Sequence, residues 1–174
     1  YFIVGGGDVA SVRDVAHEIL EGPVGQLAGR VRERPSGAAV EGASVVVLDA
    51  PVDVPASEPP PPVSAFPIWP PLQIMRELWA EGGIGPARVN VMAHSADPKT
   101  AILGRAQDRA VGCAFVSIHA GIAMIHALEV LSGFRRLGAA RNIVRGAAVW
   151  ARDNGATRFA TLTTRENAAS TSCI

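Results

Sequence analysis

The 174-residue sequence predicts an α+β fold, a mixed and mainly antiparallel sheet flanked by helices. Three observations predict it. Apolar runs from Thr100 to Gly104, Ala110 to Ile118 and Ile122 to Leu131 are separated by the short turns Gln107-Asp108 and His119-Ala-Gly121, the spacing of an antiparallel meander. Apolar residues at helical spacing stand on both sides of it, Leu72, Met75, Leu78 and Trp79 before and Ile143, Val144, Ala147, Ala148 and Ala151 after. Between the third strand and the second helix, Ala127-Leu-Glu-Val-Leu-Ser-Gly-Phe-Arg-Arg-Leu-Gly-Ala-Ala140 breaks at a glycine, gains two arginines and opens into a helical pattern.

The totals set limits. The length fits one domain or one and a half. Sixteen basic residues balance sixteen acidic ones, so no global field argues for nucleic acid or an anionic membrane, and any anion site must be local. The mean hydropathy of +0.23 is high, but Ala, Gly and Val supply much of it. No run reaches the roughly 18 apolar residues of a spanning helix, and the reading is a soluble protein. Cys113, in a strand-like run, and Cys173 lack zinc-ligand spacing. They read as incidental thiols of a reducing cytoplasm, and no metal is expected.

Along the chain, Tyr1 to Ala10 and the apolar positions to Leu20 read as a strand, a glycine turn and a helix. Gly5, Gly7 and Ala10 have G-x-G-x-x-G/A spacing, but Asp49 lies well beyond the roughly 20 residues at which a ribose-binding acid belongs. The dinucleotide reading is therefore set aside. Residues 25–42, with Arg30, Arg32 and Arg34, hold no period and read as an irregular connection with a solvated face.

Residues 1–50 form a variable N-terminal region, and 51–63 a Pro-rich linker, since Pro59-Pro-Pro-Pro62 cannot donate to a helix or sheet ladder. Phe66, Ile68 and Trp69 are expected to dock onto the helix and strands C-terminal to them, and the main domain runs over 64–174. The first helix ends at Gly82-Gly83, Val89 to Met92 forms a short extended piece, and His94 lies in a turn. A helix from about 139 to 152 carries the C-cap signal Asn154-Gly155, a strand covers Arg158 to Thr163, and another helix begins at Glu166.

The turn before the second long helix has the chemistry of an anion cradle. Gly138, Ala139 and Ala140 let backbone N–H groups approach an anion, the helix points its positive end there, and Arg135 and Arg136 add charge.

In this context the chain resembles the GNAT acyltransferase superfamily over residues 64 to 174. Arg135-Arg-Leu-Gly-Ala-Ala140 is similar to its pyrophosphate loop, Arg or Gln, two residues, Gly, one residue, then Gly or Ala. Ala147-Ala-Val-Trp-Ala-Arg-Asp-Asn-Gly-Ala156 resembles its A-x-x-x-A-x-x-x-G-A helix ending. The stretch Phe66 to Arg88 is further similar to a bacterial subgroup of uncharacterised members with a variable N-terminal region, so residues 1–50 are expected as a degenerate acyltransferase-like half.

The resemblance implies a function: N-acetyltransfer from acetyl-CoA, as cosubstrate, to a primary amine on a small molecule or peptide. It places Leu128 and Val130 beside the pantetheine arm, Arg135, Arg136, Gly138, Ala139 and Ala140 around the pyrophosphate, and Asn167 at the start of the next helix. Two departures accompany it. The family's acid tyrosine would fall at Ile174, the only tyrosine being Tyr1, and the final strands of the sheet are missing, so the C-terminus reads as truncated. A noncatalytic acyl-CoA-binding module is the alternative, and the open edge at Arg158 to Thr163 allows a homodimer.

Acyl transfer needs a base for the amine proton and a donor for the developing oxyanion. Glu129 and His126 are the nearest titratable groups, ahead of His119 in its turn, and the resemblance implies backbone N–H groups near Val130 as the oxyanion donors. Strict alternation puts Glu129 with Ala127 and Leu131, where it either faces the cleft or is an ordinary partly exposed carboxylate, the reading preferred. It puts His126 with Leu128 and Val130, packed against the core.

Overall fold

The computed structural model describes residues 31–32, 39–40 and 45–164, with side chains over 48–162. The glycine motif at Gly5, Gly7 and Ala10, the helix expected from Glu166, Asn167, Cys173 and Ile174 lie outside the described residues. Two compact units divide the chain, Tyr1–Leu48 with Thr161–Ser172, and Asp49–Ala160 with Cys173–Ile174. In the first, β1 (Val31–Arg32) pairs antiparallel with β2 (Ala39–Val40) within the stretch expected to be irregular.

The described elements continue as β3 (Val45–Pro51), α1 (Asp53–Ala56), β4 (Ala65–Ile68), α2 (Gln73–Glu81), α3 (Pro86–Ala93), β5 (Lys99–Ala106), β6 (Arg109–His119), β7 (Ile122–Val130), α4 (Ala139–Asp153) and β8 (Arg158–Thr164). The six longer strands form one sheet in the order β3-β8-β7-β6-β5-β4. Strands β5 to β7 are the expected antiparallel meander, and β4, a strand the sequence reading did not include, pairs antiparallel with β5.

In the larger unit the sheet is buried on both faces, which is why its strands read as nearly continuous apolar runs. On one face, Ile102, Ala114, Val116 and Ile125 pack with Ile143, Val144, Ala147, Ala148 and Ala151 of α4. On the other, Ala101, Leu103, Cys113 and Phe115 pack with Met75, Leu78 and Trp79 of α2 and Met92 of α3. Phe66, Ile68 and Trp69 join this second cluster, as the sequence predicts. Ile143 and Trp79 are fully buried, and burying a side chain of this kind contributes about 1.5–3 kcal/mol.

Two local expectations are corrected. Residues 89–92 are helical, inside α3, because Gly85 as N-cap and Pro86 in the first turn start a helix that outweighs the strand preference of Val89 and Val91. The Pro-rich stretch holds the one-turn α1, and Val52 and Ala56 are buried in the core against α4. Pro55 falls in that helix's first turn, where a missing N–H breaks no helical bond. Asp49, considered as a ribose acid, instead accepts the Arg158 Nε–H at 3.0 and 2.9 Å on its two oxygens.

Both long helices end in a Schellman motif. In α2 the N–H of Ile84 donates to Trp79 O at 2.7 Å and that of Gly83 to Ala80 O at 3.0 Å, with Gly83 left-handed at φ 81°. In α4 the N–H of Ala156 donates to Ala151 O and that of Gly155 to Arg152 O, each at 3.0 Å, with Gly155 at φ 87°. The Asn154-Gly155 signal is borne out.

Candidate active site

Strand β7 changes register once against β6. Cys113 pairs with Glu129 and Phe115 with His126, so two steps along β6 match three along β7. The extra residue falls at Ala127, whose φ of 50° is left-handed. Such a bulge advances the side-chain phase by one. Ala123 and Ile125 before it, and Leu128 and Val130 after it, therefore all lie on the α4 face.

His126, opposite Phe115, and Glu129, opposite Cys113, share the α2 face. The expectation that His126 lies with Leu128 and Val130 is thereby corrected: alternation holds on either side of Ala127 but not across it. Glu129 keeps the side alternation gives it, with Ala127 and Leu131. The bulge carbonyl is held from α2, where the buried Trp79 donates its Nε1–H to Ala127 O at 2.8 Å.

Glu129 is half-buried in a slot made by two glycines. A Cβ on Gly82 would stand 2.5 Å from its Cδ and 2.7 Å from its Cγ and Oε2, and a Cβ on Gly112 would stand 2.4 Å from its backbone oxygen. Burial raises the carboxyl above its ordinary 4.5, while Arg135 and Arg88 pull it back. Burial pushes His126 down from 6.5 to about 3, and nearby positive charge, Arg88 included, acts in the same direction. His126 keeps part of its surface in solvent, so the direction of this fall is what the chemistry uses: the ring is neutral near pH 7. Burial, with Glu129 second, raises the Cys113 thiol and keeps it protonated. The Cys113 Sγ lies 3.5 Å from Met75 O.

The cradle comes directly after β7. A short 3₁₀ turn, Ser132–Phe134, leads to exposed Arg135, Arg136 and Leu137, and then to Gly138 as N-cap of α4 with φ 83°. The first helical bond is Asn142 N–H to Gly138 O at 3.0 Å, so the N–H groups of Ala139, Ala140 and Arg141 precede it. No side chain caps this end. A Cβ built on Gly138 meets nothing within 4 Å, so an anion could approach. Ala139 is buried and Ala140 half-buried. Arg136 is left-handed at φ 62°. Arg135 folds back, its Nε–H donating to Val130 O at 3.1 Å.

The structure thus brings Glu129 and His126 together on one face and puts Leu128 and Val130 on the other, within one strand. The cradle residues lie together in the turn between β7 and α4, and Asn167 is outside the described residues. His119 is exposed at the opposite end of the β6–β7 hairpin. Sequence reasoning missed Gly82, Trp79 and Arg88. Gly82 read as a helix stop, Trp79 as core, and Arg88 sat in the misassigned stretch 89–92 and its approach. Among the described residues no three His, Cys, Asp or Glu side chains are grouped as metal ligands, and no helix is long and apolar enough to cross a membrane.

The six-stranded sheet flanked by helices matches the fold of the GNAT acetyltransferases. The family model described as Acetyltransferase (GNAT) family matches residues 67–173, and the chain belongs to that family. Among solved structures it is similar to a protein of Novosphingobium aromaticivorans DSM 12444 assigned to the GNAT family, with TM-score 0.56 and 13% identity over 84% of this chain and 63% of that one. It is also similar to a Bacillus subtilis acetyltransferase in complex with CoA, with TM-score 0.52 and 13% identity over 63% of this chain and 71% of that one. The aminoglycoside N-acetyltransferase AAC(6')-Iy, in complex with CoA, has TM-score 0.50 and 20% identity over 62% of this chain and 84% of that one. The chain spans less than two thirds of the length of the first of these. No curated protein matches the sequence.

Proposed function

We propose that the protein transfers an acetyl group from acetyl-CoA to a primary amine, with Glu129 as general base. The observation that carries this reading is the placement of Glu129: half-buried on the α2 face of β7, with a raised carboxyl pKa, while Leu128 and Val130 beside it face α4. A base on one side of the strand and the cradle beyond its end give donor and acceptor separate approaches to one point.

Acetyl-CoA supplies the thioester. Gly138, Ala139 and Ala140 would hold its pyrophosphate through backbone N–H groups, with Arg135 and Arg136 adding charge, and Leu128 and Val130 would line the pantetheine arm. Glu129 takes the proton released by the amine as the N–C bond forms and the C–S bond breaks, and the sulfur leaves with the bonding pair as the CoA thiolate, which takes its proton from solvent. A backbone N–H near Val130 is the donor to the developing negative oxygen. A raised pKa suits the task, because a base works best when its conjugate acid titrates nearer the operating pH. His126, whose basicity burial lowers, is a weaker base than a free imidazole and serves as a neutral neighbour.

The acceptor is proposed as a small-molecule or peptide amine. Thermal melting with acetyl-CoA tests the reading. Ligand at about 100 times its Kd should stabilise the fold by about 2.7 kcal/mol, and Gly138→Glu should abolish the shift. A melting curve that acetyl-CoA at saturating concentration does not move would overturn the proposal. Protection without amine-dependent thiol release would favour a noncatalytic acyl-CoA-binding module instead.

A further inference from the structure

We propose that Gly82 is a positioning residue for Glu129: by carrying no side chain it leaves the slot that the Glu129 carboxyl fills, so the last turn of α2 sets where that carboxyl stands. The inference rests on the reading of Glu129 as general base and adds the element that places it.

The two glycines that end α2 do different jobs. Gly83 is left-handed at φ 81°, and a Cβ there meets nothing within 4 Å, so its glycine is explained by backbone conformation. Gly82 has φ −78° and ψ 6°, which any residue adopts. What a side chain at Gly82 would meet, and would have to displace, is the carboxyl, at 2.5 Å from the Cβ position to Cδ and 2.7 Å to Oε2. The same helix pins the same strand one turn earlier, through Trp79 Nε1–H to Ala127 O. Gly112 makes room for the backbone oxygen of Glu129, and Gly82 makes room for its functional end.

Because Glu129 ends in a flexible side chain, a methyl group at Gly82 moves the carboxyl rather than the fold. Gly82→Ala should therefore separate function from stability. The charged and titratable groups facing the carboxyl are Arg88 from α3, Arg135 from the turn after β7, and, on neighbouring positions of the sheet face, His126 and Cys113.

The test uses the full chain with three substitutions, Gly82→Ala, Glu129→Gln and their combination. Melting reports stability. Carbon NMR of side-chain-labelled protein follows the Glu129 carboxyl titration, with Glu129→Gln identifying its resonance. Thiol release from acetyl-CoA is measured with an alkyl diamine, a lysine peptide and an aminoglycoside. Gly82→Ala is expected to melt no lower than the parent and to move the Glu129 titration toward the ordinary carboxylate value as the group shifts into solvent. It should lower kcat on the order of 10- to 100-fold, as small misplacements of a reacting group do, with no further loss in the Glu129→Gln background.

An unchanged Glu129 titration, or an equal loss of kcat in the Glu129→Gln background, overturns the inference. If Gly82→Ala melts early, adding Glu129→Asp, whose carboxyl is drawn back by one methylene, restores the melting point under this account; failure to restore it overturns the account. Full activity of Glu129→Gln overturns the base assignment, whereas loss there with Gly82→Ala fully active overturns the positioning role alone.

Discussion

The indole N–H of Trp79 donates to the carbonyl oxygen of Ala127 across 2.8 Å, and that bond ties helix α2 to the bulge that brings His126 and Glu129 onto one face of the sheet. Trp79→Phe keeps most of the volume and leaves a polar oxygen without its donor. The expected cost is about 1–3 kcal/mol, read as a lower midpoint in urea with an unchanged slope. A midpoint equal to the parent's would show that the bulge does not depend on this bond.

The Glu129 carboxyl carries a pH signature. Its folded-state pKa lies above the ordinary 4.5 because burial outweighs Arg135 and Arg88. The stability this group contributes is therefore present below 4.5 and lost as pH rises through the folded value. Glu129→Gln should gain on the parent in melting temperature between those pH values. The rising limb of kcat/KM should lie above 4.5 and vanish in the variant. A limb at or below the ordinary carboxylate value would contradict the placement.

His126 works in the opposite sense. Its pKa falls from 6.5 to about 3 because burial disfavours the charged ring. The unfolded chain binds the extra proton first, so stability is lost as pH falls from 6.5 toward about 3. The slope from this one group is at most about 1.4 kcal/mol per pH unit. His126→Asn should flatten the acid side of a stability–pH curve in that window. A curve of the same steepness would place the acid sensitivity elsewhere.

Gly138 is left-handed with open space around it, so Gly138→Ala is a test of backbone conformation alone. The expected loss is about 1–2 kcal/mol of stability, seen in thermal melting without ligand. No loss would mean that the turn into α4 relaxes easily and does not preform the cradle.

Much of this arrangement is legible in the sequence, for stated reasons. The meander shows because Gln107-Asp108 and Ala120-Gly121 punctuate runs buried on both faces, and α4 shows because its apolar face keeps helical spacing through Ala151. The turn from Arg135 to Gly138 and the helix that follows it are legible because a glycine and the start of a helical pattern coincide there. The phase of β7 is not legible, since the residue that takes the left-handed φ is Ala127, an amino acid with no turn signal of its own. The bulge is stabilised by Trp79 from 48 residues away, a tertiary contact that alternation cannot anticipate. The helix Pro86–Ala93 could have been found from Gly85-Pro86, whose N-terminal signal outranks the β-branched residues behind it. Gly82 could not, because its reason is a carboxylate on another element.

The most direct test of the central claim is thiol release from acetyl-CoA with a primary amine, compared between the parent chain and Glu129→Gln. The account predicts amine-dependent release by the parent and a loss on the order of 10²- to 10⁴-fold in the variant, the range of a general base. Equal rates in the two proteins, or release that no amine increases, would contradict it.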